Sequence, residues 1–200
     1  MNSEFRQQLL QMQKQDLEVR ERLLNAGELN RGYHPEMKSV HDDHQARLAS
    51  LIEIHGFPTI SLVGEDGHRA AWLIIQHSIS HPSFLKEMLA QMKAFGRHQV
   101  NRTYVPYLDD RIHFYERAPQ KYGTQFDYAL DGVMRCWLLA DAENVDLYRR
   151  EVGLSPVEAV KAQMAKESKS VTVAEARAMR QEMEDWLIET GWCHEDDRTV

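Results

Sequence analysis

The spacing of apolar residues along the chain predicts a mostly helical protein. Over Ser3–Asn25 the apolar residues form one stripe among many charged residues, which is the pattern of an amphipathic helix. Pro35 suits the first turn of a second helix, which we expect to reach about His55. Pro82 opens another helix, and Gly96 marks its end.

The longest apolar run of the chain covers residues 70–75 and ends in Gln76 and His77. Six consecutive apolar residues indicate a segment that is buried on most sides, and we interpret residues 69–78 as a helix. Ile60 to Val63 is predicted as a short piece, and the turn 64–67 leads from it into this helix. The two polar side chains at the end of the run lie at the edge of the core, where they need hydrogen-bond partners.

The middle of the chain has a different composition. Residues 111–115 and 122–128 are rich in aromatic and branched side chains, and 133–139 is a third segment of this kind, so short antiparallel strands are predicted. Helices return after Asp141, a candidate cap. Residues 155–158 and 172–175 each predict a helix start with a capping box, in which the Ser or Thr caps the helix and the Glu three residues later bonds back to the cap amide. The predicted class is therefore α+β and mostly helical, with helices packed against a small antiparallel sheet in the middle of the chain.

We interpret residues 1–165 as a single globular domain and 166–200 as a C-terminal helical extension with an acidic tail. The 200 residues contain 24 Lys and Arg against 31 Asp and Glu, and this net charge of −7 argues against nucleic-acid binding. No apolar run has membrane-spanning length, and residues 1–6 lack the pattern of an export signal, so a cytoplasmic protein is expected. Cys136 and Cys193 form neither a disulfide framework nor a metal quartet.

A succession of short motifs resembles a bacterial family known as domain of unknown function 6624. The motifs are Gly56-Phe57-Pro58-Thr59, Val63-Gly64, Gln76-His77, Asp110-Arg111, Gln120, Tyr122-Gly123-Thr124-Gln125, Arg149 and Val152-Gly153-Leu154. The resemblance covers roughly residues 16–164 and implies no reaction. Relatives usually carry an acidic residue shortly after Gln-His, and this chain has Ile79 near that position.

His77 is the first candidate for chemistry because imidazole titrates near neutral pH and can act as a general acid or base. The alternative is a core histidine that is bonded to a backbone carbonyl, with Gln76 in a similar role. The spacings His77–His81 and His41–His44 would each place two imidazoles on one helical face. However, a residue before proline is disfavoured in a helix, and the His-Glu-x-x-His motif is absent. Metal ligands are therefore not assigned, and the cofactor is left unknown.

Asp110 and Arg111 form the second candidate, because a guanidinium can grip an anionic group and a carboxylate can orient an imidazole. The alternative is a structural ion pair. Tyr122, Thr124 and Gln125 offer a phenol, a hydroxyl and an amide within one short loop, which suits a small polar ligand. The alternative is a turn that satisfies backbone groups at a strand edge, and Gly123 suits either role because it tolerates a positive φ.

Three functional hypotheses follow from these residues. The first is a small enzyme of hydrolase-like acid–base chemistry on a small anionic substrate, with His77, Asp110 and Arg111 as catalytic residues. In it, Gln76, Tyr122, Thr124 and Gln125 bind the substrate, and all seven side chains share one pocket. The second is a binding or regulatory module without catalysis, which could form a homodimer through its end helices. The third is a metalloprotein built from the histidines.

Overall fold

A computed structural model of the protein describes residues 1–30, 33–96 and 98–194, with the backbone alone at residue 30. The helices are α1 Ser3–Asn25, α2 Pro35–His55, α3 Ile60–His77, α4 Pro82–Ala94, α5 Tyr104–Tyr115, α6 Val145–Glu151, α7 Val157–Glu167 and α8 Val173–Glu189. A short 3-10 helix, Glu28–Asn30, follows α1. The strands β1 Phe126–Tyr128 and β2 Met134–Cys136 form one antiparallel sheet, in which Asp127 faces Arg135. The predicted class is confirmed: the protein is α+β and mostly helical, with a small antiparallel sheet in mid-chain.

The chain divides into two compact units, which meet in sequence at residues 101 and 102. Unit 1 is Met1–Asn101, and unit 2 contains the described residues from Arg102 onward. The division predicted at residue 165 stays a prediction. Within the described ranges, no helix is both long enough and apolar enough to cross a membrane.

Unit 1 is built on the packing of α1 and α2 against the apolar run in α3. Phe5, Leu9 and Met12 are buried on α1, and Ile74 and Ile75 are buried on α3. The stripes predicted for these helices are therefore the surfaces that form the core. α3 begins earlier than predicted, at Ile60, and it contains a kink at Gly64, whose φ of 77° is accessible to glycine with little strain.

A buried histidine in the middle of α3 ties the segment before that helix to the end of unit 1. His68 Nδ1 lies 2.8 Å from the carbonyl oxygen of Pro58, and His68 Nε2 accepts the backbone N–H of Asn101 at 3.2 Å. An imidazole that donates from one nitrogen and accepts on the other is neutral. Burial lowers the pKa of His68, although the bond to Pro58 acts in the opposite direction.

One strand prediction is wrong. Residues 111–115 form the last part of helix α5, not a strand. Their aromatic and branched side chains favour a strand, but Leu108 and Ile112 are buried four residues apart on one helical face. The helical spacing appears only when the residues before 111 are included, and burial of that face outweighs local propensity. The other two strand segments are confirmed in shorter form as β1 and β2.

The two predicted helix start signals have different outcomes. At Thr172 the capping box is confirmed, because the Thr172 and Glu175 side chains each bond to the other residue's backbone. At the start of α7 the box is wrong: Pro156 takes the cap position and makes no side-chain bond. The Asp146 carboxylate of α6 accepts the Val157 N–H at 2.7 Å, so a neighbouring helix supplies the cap.

Two buried contacts hold the loops of unit 2. The Arg149 guanidinium is buried and donates to the carbonyl oxygens of Tyr122, Gly123 and Ser155. Gly132 has a φ of 80°, and its carbonyl accepts the Val171 N–H at 3.0 Å. This bond joins the β1–β2 hairpin to the segment that precedes α8.

Candidate functional site

Three helices of unit 1 each contribute one polar side chain to a shared cluster. Asp16 occupies the apolar stripe of α1 four residues after Met12, and its side chain is 0% exposed. His41 lies on the buried face of α2 four residues after Met37. His77 is the last residue of α3, and its side chain is 23% exposed. Helix packing therefore brings a buried carboxylate and two imidazoles together, with one imidazole reaching solvent.

One oxygen of Asp16 faces both imidazoles. His77 Nδ1 lies 2.9 Å from Asp16 Oδ2, and His41 Nε2 lies 3.0 Å from the same oxygen. The two imidazole ring centres are 4.7 Å apart. One nitrogen of each histidine and a carboxylate oxygen of Asp16 all lie within 4.8 Å of one another.

Two atoms of this cluster are buried without a hydrogen-bond partner among the described residues. They are Asp16 Oδ1 and His41 Nε2. The 3.0 Å contact of His41 Nε2 with Asp16 Oδ2 is close enough for a hydrogen bond but lacks its geometry. A buried polar atom without a partner costs about 1–3 kcal/mol, so such atoms are uncommon in proteins and suit a site that holds a water or an ion.

The neighbouring imidazoles favour the negatively charged form of Asp16. Burial by itself would raise the pKa of this carboxyl, but the imidazoles of His41 and His77 outweigh burial and keep the pKa of Asp16 well below its usual range. Asp16 is therefore an anion at neutral pH, although its side chain is fully buried.

The donor set suits a divalent transition-metal ion. Imidazole nitrogens and one carboxylate oxygen bind zinc, and two histidines with one carboxylate also hold iron in many proteins. Ligand atoms about 2.0–2.1 Å from such an ion lie roughly 2.8–3.4 Å apart for bond angles of about 90–109°. The two contacts of Asp16 Oδ2, at 2.9 and 3.0 Å, are close to that separation. Two of the three separations between ligand atoms thus suit a common ion, and the third, between the two imidazole nitrogens, is within 4.8 Å.

In each histidine pair considered from spacing, only one member belongs to the Asp16 cluster. His81 precedes α4 in non-helical geometry, as the following proline predicts, and its Nε2 lies 2.9 Å from Asp42 Oδ1. His44 is buried, with Nε2 3.2 Å from Gln15 Oε1, and burial lowers its pKa. Neither histidine belongs to the Asp16 cluster.

Among the predicted site residues, Asp110 organises a loop of unit 2. Its buried carboxylate accepts backbone N–H groups of Lys121 at 2.9 Å, of Tyr122 at 3.0 Å and of Thr124 at 2.9 Å. Burial raises the pKa of Asp110, although these hydrogen bonds act against it. The loop turns at Gly123, whose φ of 69° is a positive value that glycine tolerates.

The other predicted site residues are distributed over both units. Gln125 Nε2 donates to Thr124 Oγ1 at 3.0 Å in unit 2, and Arg111 is half-buried on α5. Gln76 precedes His77 on α3 in unit 1 and is also half-buried. The structure thus brings Asp110, Tyr122 and Thr124 into contact, whereas His77 contacts Asp16. A pocket shared by all seven residues stays a prediction.

Sequence reasoning missed Asp16 and His41 as partners of His77. A signal for both was present, because each polar residue occupies a position on the apolar stripe of an amphipathic helix. Asp16 continues the series Phe5, Leu9 and Met12 at helical spacing, and charged residues are rarely buried without a partner.

Comparison with known proteins gives a family without an assigned reaction. A family model described as "Family of unknown function (DUF6624)" matches residues 3–173, a longer segment than the 16–164 predicted from the motifs. No curated protein matches the chain. No solved structure matches it either.

Proposed function

The chain belongs to the DUF6624 family, whose function is unknown, and we propose that it binds a divalent transition-metal ion through Asp16, His41 and His77. One observation carries the proposal. Asp16 is a buried anion that turns one oxygen to two imidazoles, while its other oxygen has no hydrogen-bond partner in the described part of the chain. A cation among these atoms would satisfy all of them at once.

A simple carboxylate–histidine pair accounts for less of this geometry. In such a pair the carboxylate orients one imidazole through a hydrogen bond, as Asp16 can do for His77. The second imidazole at the same oxygen then has no role, and two protonated rings with centres 4.7 Å apart would repel each other. Metal binding gives both histidines and the carboxylate a function.

The proposed centre has an open coordination position at which a reaction could be catalysed. Three protein ligands leave at least one position for water or substrate, because zinc takes four ligands or more. A bound ion would lower the pKa of a coordinated water and polarise a substrate oxygen, which suits hydrolysis. Asp16 cancels one of the two positive charges, so the centre retains about one positive charge and favours the small anionic substrate expected from the sequence. In this proposal His77 is a ligand and not a general base.

A second candidate function rests on the 2.9 Å contact of His77 Nδ1 with Asp16 Oδ2. If no ion binds, Asp16 orients the partly exposed His77 as an acid–base residue, the role first given to Asp110. The binding-module and homodimer hypotheses stay predictions.

The test is metal binding by protein from which any affinity tag has been removed. Chelator-treated protein is titrated with Zn²⁺ against a colorimetric competitor, and bound metal is measured by mass spectrometry. We expect one ion per chain in the wild type and a loss of at least about 100-fold in affinity for His41→Ala and His77→Ala, because each removes a ligand. His98→Ala is the matched control, since His98 is exposed in unit 1. A wild type that binds no ion, or variants that bind as tightly as the control, would refute the metal centre.

A further inference from the structure

Tyr33 lies against the nitrogen of His41 that points away from the cluster. The Tyr33 hydroxyl is 2.6 Å from His41 Nδ1, and the two rings stack with centres 5.7 Å apart at an angle of 28°. Tyr33 is half-buried and comes just before α2. The phenol therefore reaches His41 from the side opposite Asp16.

The position of one proton decides whether His41 can bind a metal. A neutral imidazole carries a proton on Nδ1 or on Nε2, and only the other nitrogen offers a lone pair. In the fold, Nδ1 has a hydrogen-bond partner, whereas Nε2 meets Asp16 without hydrogen-bond geometry. An ion on Nε2 requires the proton of His41 to stand on Nδ1, where the Tyr33 oxygen 2.6 Å away can accept it. Without an ion, the Asp16 carboxylate 3.0 Å from Nε2 pulls the proton toward Nε2, and Tyr33 acts against that pull.

We infer that Tyr33 is a positioning residue that holds His41 in the Nδ1–H form and so presents Nε2 to the ion. The inference rests on the proposed metal centre. It also accounts for the orientation of His41, which turns Nε2 and not Nδ1 toward Asp16. An outer hydrogen bond of this kind fixes the ring orientation and raises the basicity of the ligating nitrogen.

Tyr33→Phe separates the hydroxyl from the packing of the ring. The phenyl group keeps the stacking on His41 and removes only the group that accepts the Nδ1 proton. Tyr107→Phe is the matched control, because Tyr107 is 40% exposed in unit 2. We expect Tyr33→Phe to bind Zn²⁺ about 10–100-fold more weakly than the wild type and Tyr107→Phe to bind equally.

A second readout does not depend on affinity. Long-range ¹⁵N–¹H correlation spectra of protein with ¹⁵N-labelled histidine report which nitrogen of His41 carries the proton, with assignment by His41→Gln. We expect the Nδ1–H form in the zinc-loaded wild type and, without metal, a larger share of the Nε2–H form in Tyr33→Phe than in the wild type. Zinc affinity unchanged in Tyr33→Phe, an Nε2–H form in the zinc-loaded wild type, or equal metal-free proton distributions in the two proteins would overturn the inference.

The two proposals fail in different ways. If the wild type binds no zinc, the metal centre is refuted, and the metal-free spectra still decide whether Tyr33 sets the protonated nitrogen of His41. If the wild type and Tyr33→Phe bind zinc equally well, the metal centre stands and the role of Tyr33 is refuted.

Discussion

Replacement of Asp16 by Asn tests whether this carboxylate serves a metal ion or only holds the fold. Asparagine keeps the shape of the side chain and removes its charge. In the fold Asp16 is fully buried and contacts His77 at 2.9 Å, with one oxygen lacking a partner among the described residues. The substitution therefore weakens one charged hydrogen bond and removes the penalty of a buried anion.

The expected effects on stability and on metal binding differ in size. A hydrogen bond to a charged group contributes about 1.5–3 kcal/mol, and a neutral bond about half of that. Without metal, Asp16→Asn should lower the free energy of unfolding by no more than about 1–2 kcal/mol. Since the pKa of Asp16 is lowered in the folded protein, this difference is present above the ordinary pKa of about 4 and disappears as the pH falls below it.

The effect of zinc on Tm should distinguish the wild type from Asp16→Asn more clearly than their stability without metal. At a free concentration 100 times the Kd, a ligand stabilises the folded state by about 2.7 kcal/mol. For a chain of this size that corresponds to an increase in Tm of roughly 5–11 °C. We expect this increase in the wild type and almost none in Asp16→Asn, because the variant lacks the charged ligand.

The assay is thermal unfolding with and without Zn²⁺, with Mg²⁺ as a comparison ion. Asp43→Asn is the matched control, because Asp43 is exposed on α2 next to the cluster and pairs only loosely with Arg47 at 3.6 Å. An Asp16→Asn variant that keeps the zinc-induced rise in Tm would refute the role of Asp16 as a ligand. A variant that loses more than about 4 kcal/mol without metal would show instead that Asp16 is mainly structural.

Three further predictions concern the elements that support the two units. Because burial lowers the pKa of His68, the free energy of unfolding should fall by up to about 1.4 kcal/mol per pH unit below about pH 6.5. Urea unfolding at several pH values should show a shallower fall for His68→Gln than for the wild type. An equal dependence on pH in the two proteins would contradict this. Arg149→Lys should lower the free energy of unfolding of unit 2 by about 3 kcal/mol because lysine cannot bridge three carbonyls, whereas exposed Arg150→Lys should change it by less than about 0.5 kcal/mol in the same assay. Gly132→Ala would place Cβ 1.9 Å from the backbone oxygen of Val171 and should increase hydrogen exchange in α8. Gly153→Ala has a φ of 77° but open space around its Cβ, so it should lower the free energy of unfolding by only about 1–2 kcal/mol. Equal hydrogen exchange of α8 in the two variants would refute the contact between Gly132 and Val171.

Much of the fold was predictable because its signals are local. The apolar stripes and proline positions placed α1 and α2, and the threonine and glutamate of the capping box placed the start of α8. Such signals work because a helix satisfies its own backbone within a few residues and buries one face. Where a short window was ambiguous, at residues 111–115, composition favoured a strand and the burial of Leu108 and Ile112 made a helix.

The candidate site also combines features that the sequence predicts with contacts that only the fold creates. The sequence by itself determined that His77 would stand at the end of a buried segment and would need a partner. It also placed Asp16 and His41 on apolar stripes, where a polar side chain is exceptional. Which partner each would meet was decided by the packing of α1, α2 and α3, since Asp16 and His77 are 61 residues apart and no periodicity links them. Helix spacing reports the face that a residue occupies, whereas only tertiary packing sets the few ångströms between side chains of different helices on which metal binding and proton position depend.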